Sequence, residues 1–301
     1  MSAQPRAENE AWTVGRLLIW TADFLAKHQI DDARLSAEVL LAHATQRRRI
    51  DLYAGPDNVP DDTQVQRFRE LVRRAAAHEP IAYLVGEKEF LSLPFHVTSD
   101  VLIPRPETET LVEAVVDYCR LHEMHDPRLF DLGTGSGCMA VAVLRLISDA
   151  TVVAGDVSQA ALDVATKNAA RHGVSDRFTP VLADRLLLPE DHVPEGGFDV
   201  LMSNPPYVTR DEMAGLDICV REFEPSIALT DDGDGLSFYR ALREGGPTLV
   251  APHGAVIVEV GDNQAEAVQD LMTKDDVFNL TRTVRDSVTK RERVLVMTRA
   301  Q

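Results

Sequence analysis

The chain has 301 residues, with 31 basic against 48 acidic and a net charge of −17, a balance that argues against a general nucleic-acid binder, which carries a basic footprint. An apolar fraction of 45% supports one large domain, or a large and a small one. Cys119, Cys138 and Cys219 are few, odd in number and widely spaced; they exclude a disulfide framework or zinc pattern and read as small buried apolar groups in a reducing compartment.

Met1 to Glu10 is polar and acidic and lacks the apolar core of a signal peptide, and no stretch is apolar enough to span a bilayer. The expectation is a soluble cytoplasmic protein, monomeric and without a membrane partner. Residues 12–80 read as a small helical unit. Val14, Leu17, Leu18, Phe24 and Leu25 make one apolar face. Asp31 and Asp32 are candidate caps for a second helix through Leu35, Val39, Leu40 and Leu41, and Thr63 with Gln66 is a candidate capping box for a third. The basic runs Arg47-Arg48-Arg49 and Arg73-Arg74 read as solvated helix faces.

Character changes after residue 85. Glu89 to Leu91, Pro94 to Val97 and Val101 to Ile103 read as short strands or a hairpin linking two domains. From Pro106 onward, strands and helices alternate. Arg128–Leu132, Thr151–Asp156, Phe178–Ala183, Phe198–Ser203 and Ala255–Val260 are strand candidates. Helices are expected over Cys138–Ile147 and Ser158–His172, and a last strand, Arg293–Thr298, is expected antiparallel to Val277–Val284. Such alternation implies an α/β fold with a mainly parallel sheet covered on both faces. The expected division is 1–85 helical domain, 86–105 linker and 106–301 catalytic domain.

Gly133-Thr134-Gly135-Ser136-Gly137 falls between the first of these strands and its helix, where glycine permits a sharp turn and close approach of a ligand. It is neither a phosphate-binding loop, because Cys138 stands where that motif needs lysine, nor the dinucleotide fingerprint, because its glycines alternate. Asp156 ends the second strand, where an acid can grip ribose hydroxyls. Asp184 ends the third and could accept from an adenine amine. Asn204-Pro205-Pro206-Tyr207 follows the fourth. Two consecutive prolines stiffen that corner and remove two N–H donors. An asparagine oxygen, a free carbonyl and a flat ring together suit a planar NH2 group, as in an amide or a base amine.

These segments, with Gly86 to Phe90, Leu102 to Glu109, Phe223 to Pro225, Asp234 to Leu236 and Glu259 to Gly261, resemble the release-factor glutamine methyltransferases across nearly the whole chain. The resemblance implies a Rossmann-like class I methyltransferase sheet, a small N-terminal helical domain that grips the substrate, and S-adenosylmethionine as cofactor. It implies methylation of the glutamine amide in the Gly-Gly-Gln loop of peptide chain release factors. By the same resemblance, Gly133, Thr134, Gly135, Ser136 and Gly137 line the cofactor, Asp156 holds its ribose and Asp184 lies by adenine. Arg185 is a further candidate contact, standing where many relatives have an aromatic residue. Asn204 and the Pro205 carbonyl accept from the substrate amide, Pro206 stiffens the corner, and Tyr207 packs on the amide. The chemistry expected is direct in-line transfer, with no strong general base evident and only a mild effect of Tyr207→Phe. A rival reading is an N-methyltransferase acting on a nucleobase amine, against which stand the net charge and the lack of a basic or aromatic target-reading segment.

Overall fold

The computed structural model describes residues 11–286 and 289–300; the reading of Met1 to Glu10 lies outside them. The chain divides into two compact units, one ending at Gly86 and one beginning at Glu87.

The first unit is helical: α1 (Val14–Lys27), α2 (Ala33–Thr45), α3 (Arg49–Ala54), α4 (Asp62–Ala75) and α5 (Ile81–Val85). Val14, Leu17, Leu25, Leu40, Leu41 and Phe68 are buried together, with Leu18 and Phe24 packed at the margin. Two expected caps are corrected. Asp32 sits at the N-cap of α2 in a left-handed conformation (φ 46°) and its side chain makes no cap bond. The capping box of α4 is Asp61 with Gln64, two residues before Thr63 and Gln66; Asp61 accepts from the Gln64 N–H at 2.8 Å. The basic runs are neutralised locally, Arg48 by Asp51, Arg49 by Glu38, Arg73 by Glu70 and Arg74 by Glu79.

The second unit opens with a hairpin, β1 (Glu87–Phe90) and β2 (Leu93–His96), whose Phe90 and Phe95 are buried in this unit's core. Val101 to Ile103 is not a strand. The Ile103 N–H donates instead to the buried Glu224 carboxylate at 3.0 Å, so that backbone has a side-chain partner rather than a ladder. Then follow α6 (Pro106–Leu121), β3 (Arg128–Leu132), α7 (Cys138–Leu146), β4 (Thr151–Asp156), α8 (Gln159–Arg171), β5 (Phe178–Leu182) and β6 (Phe198–Ser203). A short α9 (Ile218–Arg221), α10 (Ser237–Leu249), β7 (Val250–Glu259), α11 (Ala265–Thr273), β8 (Phe278–Arg285) and β9 (Glu292–Arg299) complete it. Pro106 starts α6, with Glu107 and Glu109 in its first turn where they complement the helix dipole.

The seven-stranded sheet has the order β5-β4-β3-β6-β7-β9-β8. The expected mainly parallel α/β sheet with an antiparallel last strand is present. β9 runs antiparallel to β8 as read from the sequence, and also to β7, so it is inserted between them. β7 begins at Val250, earlier than expected. Strands buried on both faces read as continuous apolar runs, and Leu201, Met202, Val256, Ile257 and Val258 are all fully buried. From β3 the chain first moves outward through β4 and β5, then returns to place β6 on the other flank of β3. That reversal makes the carboxyl ends of β3 and β6 the natural ligand crevice.

Candidate active site

The glycine turn closes directly on the end of β3. The Gly133 and Thr134 N–H groups both donate to the Gly155 carbonyl of β4, at 2.9 and 3.0 Å. Gly133 (φ 75°) and Gly135 (φ 53°) are left-handed, and a Cβ built on either meets nothing within 4 Å. Open space therefore lies over these two glycines. Gly137 has a different reason: its φ is 77°, and a Cβ there would come within 2.9 Å of the Ala165 Cβ on α8. Ser136 and Thr134 are buried; the Thr134 hydroxyl donates to Asp131 at 2.8 Å. Burial pushes the Asp131 carboxyl up to about 7, against the opposing pull of that Thr134 bond.

Asp156 ends β4 and joins the turn. Its Oδ2 accepts from the Gly135 N–H and its Oδ1 from the Ser158 N–H, both at 2.9 Å. Each oxygen keeps a second lone pair for a ligand hydroxyl. Burial raises its pKa, opposed by these backbone bonds. Asp184 is exposed and stands in the turn two residues past β5, not at the strand end. The pairing of Leu182 with Asp156 still brings that turn to the same sheet edge. Arg185 (φ 53°) turns its guanidinium over the Phe238 ring, 5.0 Å from the centroid.

Asn204 to Tyr207 emerges from β6 beside this turn, because Ser203 pairs with Leu132 and its hydroxyl donates to the Leu132 carbonyl at 2.8 Å. The Asn204 Nδ2 donates to the Thr108 hydroxyl on α6 at 3.0 Å. Its Oδ1 receives no hydrogen bond among the described residues, and neither does the Pro205 carbonyl. Both are acceptors with capacity to spare. Pro205 and Pro206 are buried, so this corner is packed as well as stiff. Tyr207 is held at both ends: its carbonyl accepts from Gln264 Nε2 at 2.9 Å, and its hydroxyl donates to Glu259 Oε1 at 3.1 Å.

Three supports escaped the sequence reading. Asn168 on α8 is fully buried and clamps the glycine turn to the hairpin: its Nδ2 donates to the Ser136 and His96 carbonyls at 2.8 and 2.9 Å, and its Oδ1 accepts from the His96 N–H at 2.7 Å. Thr108 holds Asn204. Glu259, at the end of β7, is a buried carboxyl, 1% exposed, held against the Tyr207 hydroxyl. Burial pushes its carboxyl up to about 7, opposed by Thr108, Arg293 and Tyr207. Glu259 lay inside a quoted motif, but nothing local in the sequence ties it to Tyr207, 52 residues away.

Residues 16–86 match the PrmC N-terminal domain family and residues 108–226 the Methyltransferase small domain family. A release factor glutamine methyltransferase of Rhodopirellula baltica is 40% identical over 291 residues, covering 96% of this chain and 97% of its own. One from Chlorobaculum tepidum is 37% identical, covering 88% and 91%. Among solved structures, the hMettl16 catalytic domain in complex with MAT2A 3'UTR hairpin 1 superposes with a TM-score of 0.56 at 15% identity, covering 82% of this chain and 84% of that one. That likeness concerns the fold alone.

Proposed function

Because this chain belongs to the release factor glutamine methyltransferase family, we propose that it methylates the side-chain amide nitrogen of the glutamine in the Gly-Gly-Gln motif of peptide chain release factors, in the cytoplasm, with S-adenosylmethionine as donor. One observation carries this reading. Asn204 spends its N–H on Thr108, which leaves Oδ1 and the undonated Pro205 carbonyl as a pair of acceptors beside the glycine turn. A primary amide offers two N–H donors in one plane, and such a pair suits them.

The residues fit the donor. The open space over Gly133 and Gly135 admits a ligand against the backbone, and the two Asp156 oxygens have lone pairs left for ribose hydroxyls. Asp184 at the same sheet edge is placed to accept from the adenine amine, while Val157, half exposed next to Asp156, offers an apolar surface. Arg185 is committed to Phe238 and shapes the wall behind that edge. S-adenosylmethionine, when bound, supplies an electrophilic methyl carbon on a sulfonium.

The rest of the task falls to the protein's own groups. An amide nitrogen is a poor nucleophile because its lone pair is delocalised into the carbonyl. Acceptors on both of its hydrogens hold electron density on nitrogen and stabilise the positive charge that develops there. Pro205 and Pro206 deliver those acceptors on a rigid corner, so little ordering remains to be done when substrate arrives. The Tyr207 ring, fixed at carbonyl and hydroxyl, flanks the amide and keeps water from it.

The first unit fits a role as the release-factor grip. Its groove of about 590 Å³ is lined by Trp12, Trp20, Phe24 and Phe68, with Arg69 and Arg73 beside them. Trp12 and Trp20 are 39% and 49% exposed, a costly display for a chain that has only two tryptophans. Incubation of the protein with a purified release factor and methyl-labelled S-adenosylmethionine, followed by peptide mass spectrometry, tests the reading. One added methyl on the loop glutamine is expected. Label appearing in RNA or DNA, with that glutamine unmodified, would overturn it in favour of a nucleobase substrate.

A further inference from the structure

The acceptor pair works only if the Asn204 carboxamide keeps its oxygen toward the substrate. Nothing in an asparagine fixes that choice, since a half-turn of the amide exchanges oxygen for NH2. In this protein the choice is made by Thr108, which accepts from Nδ2 at 3.0 Å. A hydroxyl is both donor and acceptor, however, so its own orientation must be set by a further group. Its hydrogen needs an acceptor, and the Glu259 carboxyl is beside it: the Thr108 hydroxyl is among the neighbours that favour the charged form of Glu259. Among the described residues Glu259 Oε2 is buried with no hydrogen-bond partner, so its lone pairs are open to the nearby Thr108 hydroxyl, while Oε1 takes the Tyr207 hydroxyl at 3.1 Å.

We propose that Glu259 is a positioning residue for methyl transfer: its carboxylate, acting through the Thr108 hydroxyl, holds the Asn204 oxygen toward the substrate amide, and through the Tyr207 hydroxyl it fixes the flanking ring. This rests on the functional reading above and adds to it the group that sets the polarity of the acceptor corner. An ionised carboxylate can only accept, so Thr108 donates to it and accepts from Asn204. A neutral carboxyl carries a proton that can donate to Thr108. The hydroxyl can then point its hydrogen at Asn204, and the carboxamide turns to match. NH2 then faces the substrate's NH2, and the corner no longer binds.

The groups around Glu259 come from three other elements and the loop after β6. Arg293 on β9 and the Thr108 and Tyr207 hydroxyls favour its charge, Glu107 on α6 opposes it, and buried Tyr239 on α10 donates to its backbone carbonyl at 2.7 Å. Arg105 acts on neighbouring Tyr207 in the sense that favours its charged form. With the Glu259 carboxyl pushed up to about 7, the corner is assembled above neutrality and lost below it.

Two measurements test this. In the free protein, the Asn204 side-chain NH2 resonances, assigned with Asn204→Ala, are followed by NMR from pH 5.5 to 8.5. They titrate with a midpoint near 7 in the wild type and are flat in Glu259→Gln and Thr108→Val. In turnover assays, Glu259→Gln and Thr108→Val lower kcat about 10-fold or more, toward the ~10²-fold cost of a small misplacement. KM for S-adenosylmethionine is unchanged, the acid limb of the pH profile disappears in Glu259→Gln, and Thr108→Ser restores most of the rate. Flat Asn204 resonances in the wild type, or an acid limb that survives in Glu259→Gln, would refute the relay. A wild-type protein that methylates no release factor refutes the functional reading instead, and the NMR titration still decides the relay.

Discussion

Replacing Glu259 by Gln should make the fold more stable while making the enzyme worse. A carboxyl buried to 1% exposure is raised from its ordinary 4.5 to about 7. The folded state therefore keeps a proton that the unfolded chain has already released between those two values. Stability falls as pH rises wherever the native state binds more protons. The Glu259 contribution is accordingly at its fullest below about 4.5, declines through the window, and is lower by about 3 kcal/mol above about 7, at 1.36 kcal/mol per pKa unit. Glutamine has nearly the same shape and does not titrate. The stability difference between variant and wild type should thus grow from pH 5 to pH 8 by about 3 kcal/mol, or about 6–12 °C in Tm for a unit of this size. Both tryptophans lie in the first unit, so their fluorescence serves as an internal reference. Far-UV circular dichroism follows both units, and the transition not shared with the fluorescence belongs to the second. Parallel Tm-against-pH curves for the two proteins would show that the burial of this carboxyl carries no such cost, and the reasoning would fail.

Other substitutions separate binding, chemistry and support. Asn204→Ala should lower turnover by roughly 10²-fold, the scale of one oriented polar group, with a smaller change in S-adenosylmethionine affinity measured by calorimetry. Tyr207→Phe keeps the ring, from which the sequence alone suggests only a mild loss of turnover, but it leaves Glu259 Oε1 buried without its donor; urea titration should show a stability loss of about 1–3 kcal/mol. Gly135→Ala has room for its methyl and should fold at a cost of about 1–2 kcal/mol yet lose cofactor affinity. Gly137→Ala meets Ala165 and should be the less stable of the two by differential scanning calorimetry. Asn168→Ala removes three hydrogen bonds, one buried and two partly buried, and should cost about 2–4 kcal/mol at about 1 kcal/mol each; a stability loss of less than a third of that in urea titration would deny the clamp its importance.

What could be read from the sequence follows the range of the forces involved. Thr151–Asp156 and Phe198–Ser203 were placed to the residue because each is an apolar run ended by a residue that cannot continue it, an acid in one case and Asn-Pro-Pro in the other. The glycine turn, Asp156 and Asn204 could be placed at the strand ends for the same reason: their positions follow from the local backbone pattern. Val101 to Ile103 has the β-branched content of a strand, yet no strand among the described residues pairs with it, and Glu224, 121 residues on, takes the Ile103 N–H. The insertion of β9 between β7 and β8 was equally hidden, because strand order is decided by which apolar faces meet in three dimensions. Asn168 and Thr108 looked like ordinary helix residues. Their partners are 32 to 96 residues away.

The acceptor corner shows why the missing part matters. Asn204 to Tyr207 supplies the oxygens and the ring, but an asparagine and a tyrosine can each be placed in more than one way. Thr108 comes from the first turn of α6, Glu259 from the end of β7 and Gln264 from the turn leading into α11, and each bonds one of these two residues or its partner. β6 and β7 pair in parallel, with Ser203 opposite Val258, so Glu259 falls beside the start of the motif by register alone. A one-residue slip of that pairing would turn Glu259 to the other face of the sheet. The register is secured by Leu201, Met202, Val256 and Ile257, all fully buried. The core that stabilises the sheet therefore also sets Glu259 beside the acceptor corner.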